Sequence, residues 1–463
     1  MRRFQTLSTR KGISEVKLSH TLVVTSAVFD DPNLVSSGGL VPVLALAESA
    51  GLRDLADQHL TVPTDKGANA GLKVASLVAG MSVGADSIDD MAVLRHGGMG
   101  RVFTHAYAPS TLGSFLRSFA FGHVRQLDAV ASRFLTELAA VSPVTAGVGE
   151  LAILDVDDTV VEVHGYAKQG AGFGYNQVRG LNALIATVST PQAAPVIVAQ
   201  RLRKGSANSA RGAQRLVRDA LKTVRGLASA SQSASQSAGA ASRSGRTLIR
   251  ADSAFYGHAV IGAAVKTEAE VSVTIRLDPK VKAAIAAIDE DAWTTIAYPN
   301  AVFDEPTGRW ISRAEVAEID FVAFTSKKKA DQVPGRLVVR RIPDFNAEKN
   351  QAAGQDTLFD VWRFHAFFTT TDAAILDTVA ADKTHRGHAV IAFNLTRAAA
   401  SLTDPQIAKA TTATIRRKLI TVPARVATSA GRIILHLPQA WLWETAWTAL
   451  IDRVSDPPPV LAA

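Results

Sequence analysis

The chain has 463 residues, 47% of them hydrophobic and 20% charged, and its 50 Lys and Arg outnumber 42 Asp and Glu to give a formal charge of +8. Single cores stop growing at roughly 250–300 residues, so the length predicts two or three units. There is no cysteine, which excludes disulfides and thiolate metal sites and leaves oxygen or imidazole for any metal.

No apolar run reaches the ~20 residues of a membrane helix, and none follows the basic Met1-Arg2-Arg3 as a signal peptide requires. A cytoplasmic location is expected. The basic balance points to polyanion partners, chiefly nucleic acid.

In chain order, Thr21–Phe29 reads as a strand stopped by Asp30-Asp31-Pro32. Residues 40–142 read as helices. Leu44, Leu52 and Leu55, then Val74, Leu77 and Val78, recur at helical spacing, and Ser110 or Thr111 after Pro109 marks a helix start. Residues 1–145 therefore form an N-terminal strand and helical region. Its size suits a DNA-binding unit or a scaffold.

Residues 150–278 change character. Leu151–Val163 is a strand, followed by a glycine-rich turn through Gly165, Gly170, Gly172 and Gly174. Two more strands follow, Ala183–Val188 and Pro195–Ala199, then a basic helix over Ser209–Arg225. Ser229–Ala238, SASQSASQSA, reads as a flexible surface loop. Thr247–Asp252 is a fourth strand, Tyr256–Lys266 a helix and Val271–Ile275 a fifth strand. Three strands, helix, strand, helix, strand is the order of a ribonuclease-H-like α/β core. Residues 279–350 read as an inserted α+β subdomain. Residues 351–455 return to the core, with helix over Asp372–Ala400, and Pro457-Pro458-Pro459 closes the tail.

Asp157 lies in the first of these strands and Asp252 ends the fourth. In such a core these strands are neighbours, so the two carboxylates can stand side by side. Paired hard-oxygen ligands suit two Mg²⁺ ions about 4 Å apart flanking a phosphodiester. Aspartates at strand ends also cap turns, which is the alternative reading. Asp155 alternates with Asp157 and shares its face as a rival or supporting ligand, whereas Asp158 points to the other face. Arg201, Arg203, Lys204, Arg211, Arg215, Arg218, Lys222 and Arg225 make a basic segment suited to a DNA backbone, and Arg211, Arg215, Arg218, Lys222 and Arg225 step by three or four residues, so they share one helix face. A solvated basic face is the alternative.

The runs Leu154–Thr187, Ala108–Phe119, Leu248–Gly257 and Asp382–Ile391 resemble DDE-type insertion-sequence transposases, in particular the actinobacterial branch of the family numbered thirteen-eighty. The resemblance covers most of the chain. It implies a ribonuclease-H-like catalytic core, dependence on Mg²⁺ or Mn²⁺, and cleavage and joining of element ends. The implied partners are double-stranded DNA, in terminal inverted repeats and target, and a second copy of the chain on that DNA. It assigns the catalytic, metal-binding aspartates to Asp157 in the Asp-x-Thr run and Asp252 in the Ala-Asp-Ser run. His385 and His388 match a supporting His-x-x-His pair.

The family's third carboxylate is a glutamate four residues after that pair, with a lysine two turns later. Here Ala392 occupies the glutamate position and the chain runs straight into Phe393-Asn394-Leu395. The sequence reads as though an internal stretch carrying the glutamate and lysine had been lost, so weak or absent activity is expected. Asp377 and Asp382 are poor substitutes because catalytic geometry tolerates little displacement. The alternative function is a catalytically dead DNA-binding relative that occupies element ends or inhibits an intact transposase.

Overall fold

The computed structural model describes residues 29–63, 65–103, 106–164, 168–237, 245–296, 303–305, 309–310, 314–343, 362–384, 393–429, 432–439 and 441–455. Apart from Phe29, the strand expected at Thr21–Phe29 lies outside them, as do His385, His388 and the proline tail.

The elements begin with a short strand β1 (Leu34–Val35) and helices α1 (Leu40–Ser49), α2 (Leu52–His59), α3 (Ala70–Val83), α4 (Met99–Val102), α5 (Pro109–Arg117) and α6 (Phe121–Val141). Strands β2 (Leu151–Glu162), β3 (Gly172–Phe173), β4 (Arg179–Ser189) and β5 (Val196–Lys204) follow. Then come α7 (Ala213–Ser237), β6 (Arg246–Ala251), α8 (His258–Val265) and β7 (Glu270–Thr274). Next are α9 (Pro279–Ala286), β8 (Thr294–Ile296), β9 (Phe303–Asp304), β10 (Arg309–Trp310), β11 (Ala314–Ala323), β12 (Val333–Pro343) and β13 (Trp362–Thr369). The chain closes with α10 (Thr378–Thr384), α11 (Phe393–Ser401), α12 (Pro405–Ala408), α13 (Thr412–Ile415), β14 (Ala424–Ser429), β15 (Arg432–His436) and α14 (Glu444–Ser455). This is a mixed α/β protein.

One mixed sheet organises it. Its order is β3-β4-β2-β6-β7-β13-β12-β11-β8, with β5 on the outer side of β4. β2 runs parallel to β6 and β6 parallel to β7, and every other neighbour is antiparallel. The apolar runs read as strands from sequence are therefore strands here. β2, β6 and β7 lie inside the sheet, where a strand buried on both faces needs near-continuous hydrophobicity.

The strands read as an inserted subdomain are not a separate sheet. β13 pairs with β7, and β12, β11 and β8 follow it outward, so they extend the central sheet. The backbone of β7 still had an unpaired edge, and antiparallel hairpins fill it. The helical N-terminal region also joins the same core. Leu46, Leu135 and Leu138 belong to one hydrophobic cluster with Leu154, Leu184 and Ile249.

α7 covers one face of β5, β4 and β2. Leu216, Val217, Leu221, Val224 and Leu227 are buried at helical spacing, each contributing about 1.5–3 kcal/mol by leaving water. The helix reaches Ser237, so most of Ser229–Ala238, expected to be a loop, is helical. The physical reason is that the stretch carries no proline or glycine before Gly239, and Ala and Gln propagate a helix already nucleated and anchored on the sheet. Arg211 precedes the helix, in the turn before Ala213.

At the sheet's outer edge, Asn394 of α11 accepts from the Ile197 N–H and donates to the Ile197 carbonyl, both at 2.8 Å. One side-chain amide thereby fills the hydrogen bonds a neighbouring strand would make.

Candidate active site

β2 and β6 carry the two aspartates. Their parallel register pairs Asp155 with Arg250 and Val156 with Ala251. One step further along stand Asp157, still in β2, and Asp252, the first residue beyond β6. Continuing that register sets Asp252 next to Asp157, whose charge acts on it. Asp157 Oδ1 accepts from the Asp158 N–H at 2.7 Å. Asp252 Oδ1 accepts from the Ala254 N–H at 2.9 Å and caps the short helical turn Ser253–Phe255.

Partial burial is the main cause that pushes the Asp252 carboxyl above its ordinary range, and the charges of Asp157 and Asp158 push the same way. The backbone N–H of Ala254 opposes them. Two anions at the end of a sheet, one of them already short of solvation, form a donor set of hard oxygens that a divalent cation would relieve. These residues fit such an ion. Among the described residues, no three acidic or imidazole side chains form a metal-holding group.

Asp155, expected as a rival or supporting ligand, is engaged by an arginine across the strand. Arg250 forks onto its carboxylate, Nε to Oδ1 at 2.6 Å and Nη2 to Oδ2 at 2.7 Å. Both side chains are buried, 9% and 4% exposed. A charge-assisted bidentate pair of this kind occupies both oxygens. Asp158 points to the opposite face, where it accepts from Asn182 Nδ2 and, at 3.2 Å, from Arg203 Nη2. Sequence reasoning missed Arg250, and it grouped Arg203 with the DNA-backbone cations, whereas Arg203 pairs with Asp158. The available signal was arginine within an otherwise apolar strand, in LIRAD two places before Asp252, mirroring Asp155 two places before Asp157.

Asp377 caps α10, accepting from the Ala380 N–H at 2.8 Å. α10 packs on β11 and β12, with β13 and β7 between them and β6. It is therefore remote from the aspartate pair. The side chain of Asp382 lies outside the described residues.

The two faces of the sheet differ around Asp157. Along β5, Gln200, Leu202 and Lys204 are exposed while Ala199, Arg201 and Arg203 are half-buried. Register places Gln200 beside Ile185, which faces Asp157, and Leu202 beside Ala183, which faces Thr159. Lys204 lies beside Leu181, which faces Val161. The exposed set thus shares the face of Asp157. Val161, Leu202 and Phe173 are 48%, 59% and 63% exposed, so among the described residues no element covers this part of the sheet.

The basic helix lies on the other face. Arg201 of β5 pairs with Asp219 of α7, and Arg211, Arg215, Arg218, Lys222 and Arg225 all point to solvent. Arg225 also donates to the Thr267 carbonyl at 2.6 Å. The structure therefore puts the basic residues and the aspartate pair on opposite faces. Lys204 and Arg179, opposite Phe173, are cations on the carboxylate face. A cleft of about 630 Å³, lined by Arg125, Asp128, Arg133 and Lys222, borders the edge strand β5. β4 and β2 separate it from Asp252.

A search of curated proteins gave no match. The family model described as transposase DDE domain group 1 matches residues 23–342, more than half of the chain, and spans both aspartates. The chain belongs to the DDE transposase family.

Proposed function

We propose that the chain is an insertion-sequence transposase of the thirteen-eighty group, with a ribonuclease-H-like core and a crippled catalytic centre. The observation that carries this reading is the juxtaposition of Asp157 and Asp252 at adjacent parallel strands inside the matched family span. The chain order of β2, β4 and β5, then α7, β6, α8 and β7, supports the core assignment, as does the parallel run β2-β6-β7.

In this reading Asp157 and Asp252 hold Mg²⁺ or Mn²⁺, which when bound activates the attacking oxygen and stabilises the leaving one. The chain's own residues position those carboxylates, and its cations hold double-stranded DNA at element ends and target. Phosphoryl transfer depends on positioning and electrostatics, so a missing third carboxylate removes charge balance where it matters most. The sheet face beside Asp157, uncovered among the described residues, supports the loss of a covering helix. Only residues 385–392 separate α10 from α11, about two helical turns of chain. His385 and His388 belong to that span and are proposed to support the site. Residues 1–145 and 279–350 are proposed as the DNA-binding region and the strand-bearing insert, and a homodimer on DNA as the working assembly.

The open face also favours a second reading, in which the chain binds element ends without cutting and inhibits an intact relative. Strand-cleavage assays on duplexes carrying the element's inverted repeats, with Mg²⁺ or Mn²⁺, test both. Gel-shift binding without strand transfer is the expected result. Efficient cutting that survives Asp377→Asn and Asp382→Asn overturns the crippled centre. Absence of binding to the repeats at low salt overturns the transposase reading itself.

A further inference from the structure

We infer that Arg250 and Asp155 are positioning residues, whose buried fork locks β6 onto β2 in the register that sets Asp252 beside Asp157. The inference rests on the reading of those two aspartates as the metal-binding pair.

Parallel strands are evenly hydrogen-bonded along their length and have no shared turn to fix their register. Here the crossover from β2 to β6 passes through β3, β4, β5 and α7, so nothing local aligns the two strands. A one-residue slip would turn every side chain to the wrong face, and the buried pattern forbids it. A two-residue slip keeps the faces. On the other side it merely exchanges small or aliphatic neighbours, because Ala152, Leu154 and Val156 face Thr247, Ile249 and Ala251. It would nevertheless carry Asp252 about 6.6 Å along Asp157 at 3.3 Å per residue. That exceeds the ~4 Å separation of paired metals.

The fork is what such a slip cannot keep. Asp155 would face Leu248 or Asp252 in place of Arg250, and a charge would be buried without its partner. Both contacts of the fork are short, 2.6 and 2.7 Å, and Arg250 and Asp155 are cross-strand partners in the register itself. A buried ion pair is a poor way to gain stability, since apolar residues of similar volume often do as well, and its better-attested role is to specify one arrangement. The pair stands two residues before each aspartate on the same face, so alignment at one position fixes alignment at the next.

The test measures Mn²⁺ binding to the full chain from the loss of the free-ion paramagnetic resonance signal, alongside denaturant unfolding. The double variant Asp155→Leu/Arg250→Met is expected to unfold cooperatively and to bind Mn²⁺ at least about tenfold more weakly, the scale set by loss of groups that orient metal ligands. Arg250→Lys, which keeps the charge without the fork, is expected to weaken binding less. The exchange Asp155→Arg/Arg250→Asp is expected to restore it. Wild-type affinity in a folded double variant overturns the inference. Should that variant fail to fold, unchanged affinity in Arg250→Lys overturns it. If the wild type binds no Mn²⁺, or if Asp157→Asn/Asp252→Asn binds as tightly as wild type, the carboxylate reading itself fails and the inference falls with it.

Discussion

Under α7, Asp158, Asn182 and Arg203 are joined in a nearly dry network. On the reverse of the same strands, Asp157, Thr159, Leu202 and Phe173 meet solvent. The residues are neighbours in sequence, and only alternation separates them. The covered face shows polar groups satisfied one by one so that a helix can lie over them. The open face shows charge and apolar surface that no described element covers, which is where a protein keeps a site and where a lost element would be felt. Burial here follows the packing partner more than the residue type.

The largest effect should come from breaking the covered network. Arg203→Ala leaves the buried Asp158 without its cation, and a loss of about 3–5 kcal/mol is expected in urea unfolding. A loss under 1 kcal/mol would mean that α7 does not seal this face. Leu216→Ala, fully buried in α7, should cost about 2–5 kcal/mol by the same measurement. On the open face, Leu202→Ser should change stability by no more than about 0.5 kcal/mol. A large loss there would show that something covers the sheet.

Asp252 tests the open face by pH. Its carboxyl is held above the ordinary value of 3.8, so the folded state binds that proton more tightly than the unfolded state. This contribution to stability is complete below the ordinary value and is lost as pH rises through the raised one. Asp252→Asn, which never ionises, should therefore raise the melting temperature of the metal-free protein at neutral pH and give no gain at strongly acid pH. In the variant, Mn²⁺ should no longer raise the melting temperature. An equal Mn²⁺ shift in both proteins would remove Asp252 from the site.

The smallest expected effect separates the two cation sets. If α7 holds duplex backbone, removing Arg215 and Arg218 should reduce the slope of log affinity against log salt by about 0.9 per residue. Lys204→Ala should leave that slope unchanged. The reverse result would place the duplex on the carboxylate face.

Much of this was legible in the sequence. The apolar runs around Ile153, Ile185, Ile197, Ile249 and Val273 are strands, because continuous aliphatic stretches of that length suit a doubly covered sheet. The adjacency of Asp157 and Asp252 followed from the strand order. What failed was longer in range. Nothing local told that β11, β12 and β13 would continue the same sheet, since hydrogen-bonded edges carry no sequence signature. Polar composition made Ser229–Ser237 look like a loop, although its residues extend a helix without strain. Asp155 could not be told from Asp157 by alternation. Only the position of Arg250 across the strand separates the structural carboxylate from the exposed one.

If the chain is a shortened copy, Asn394 has a consequence for how such a copy survives. Open sheet edges recruit other chains, and aggregation follows. The amide on Ile197 belongs to α11, downstream of the stretch proposed to be missing. A chain cut back there keeps its guard against uncontrolled strand addition. A gene that loses its chemistry in this way can still encode a well-behaved protein, and so go on competing for the sites its parent used.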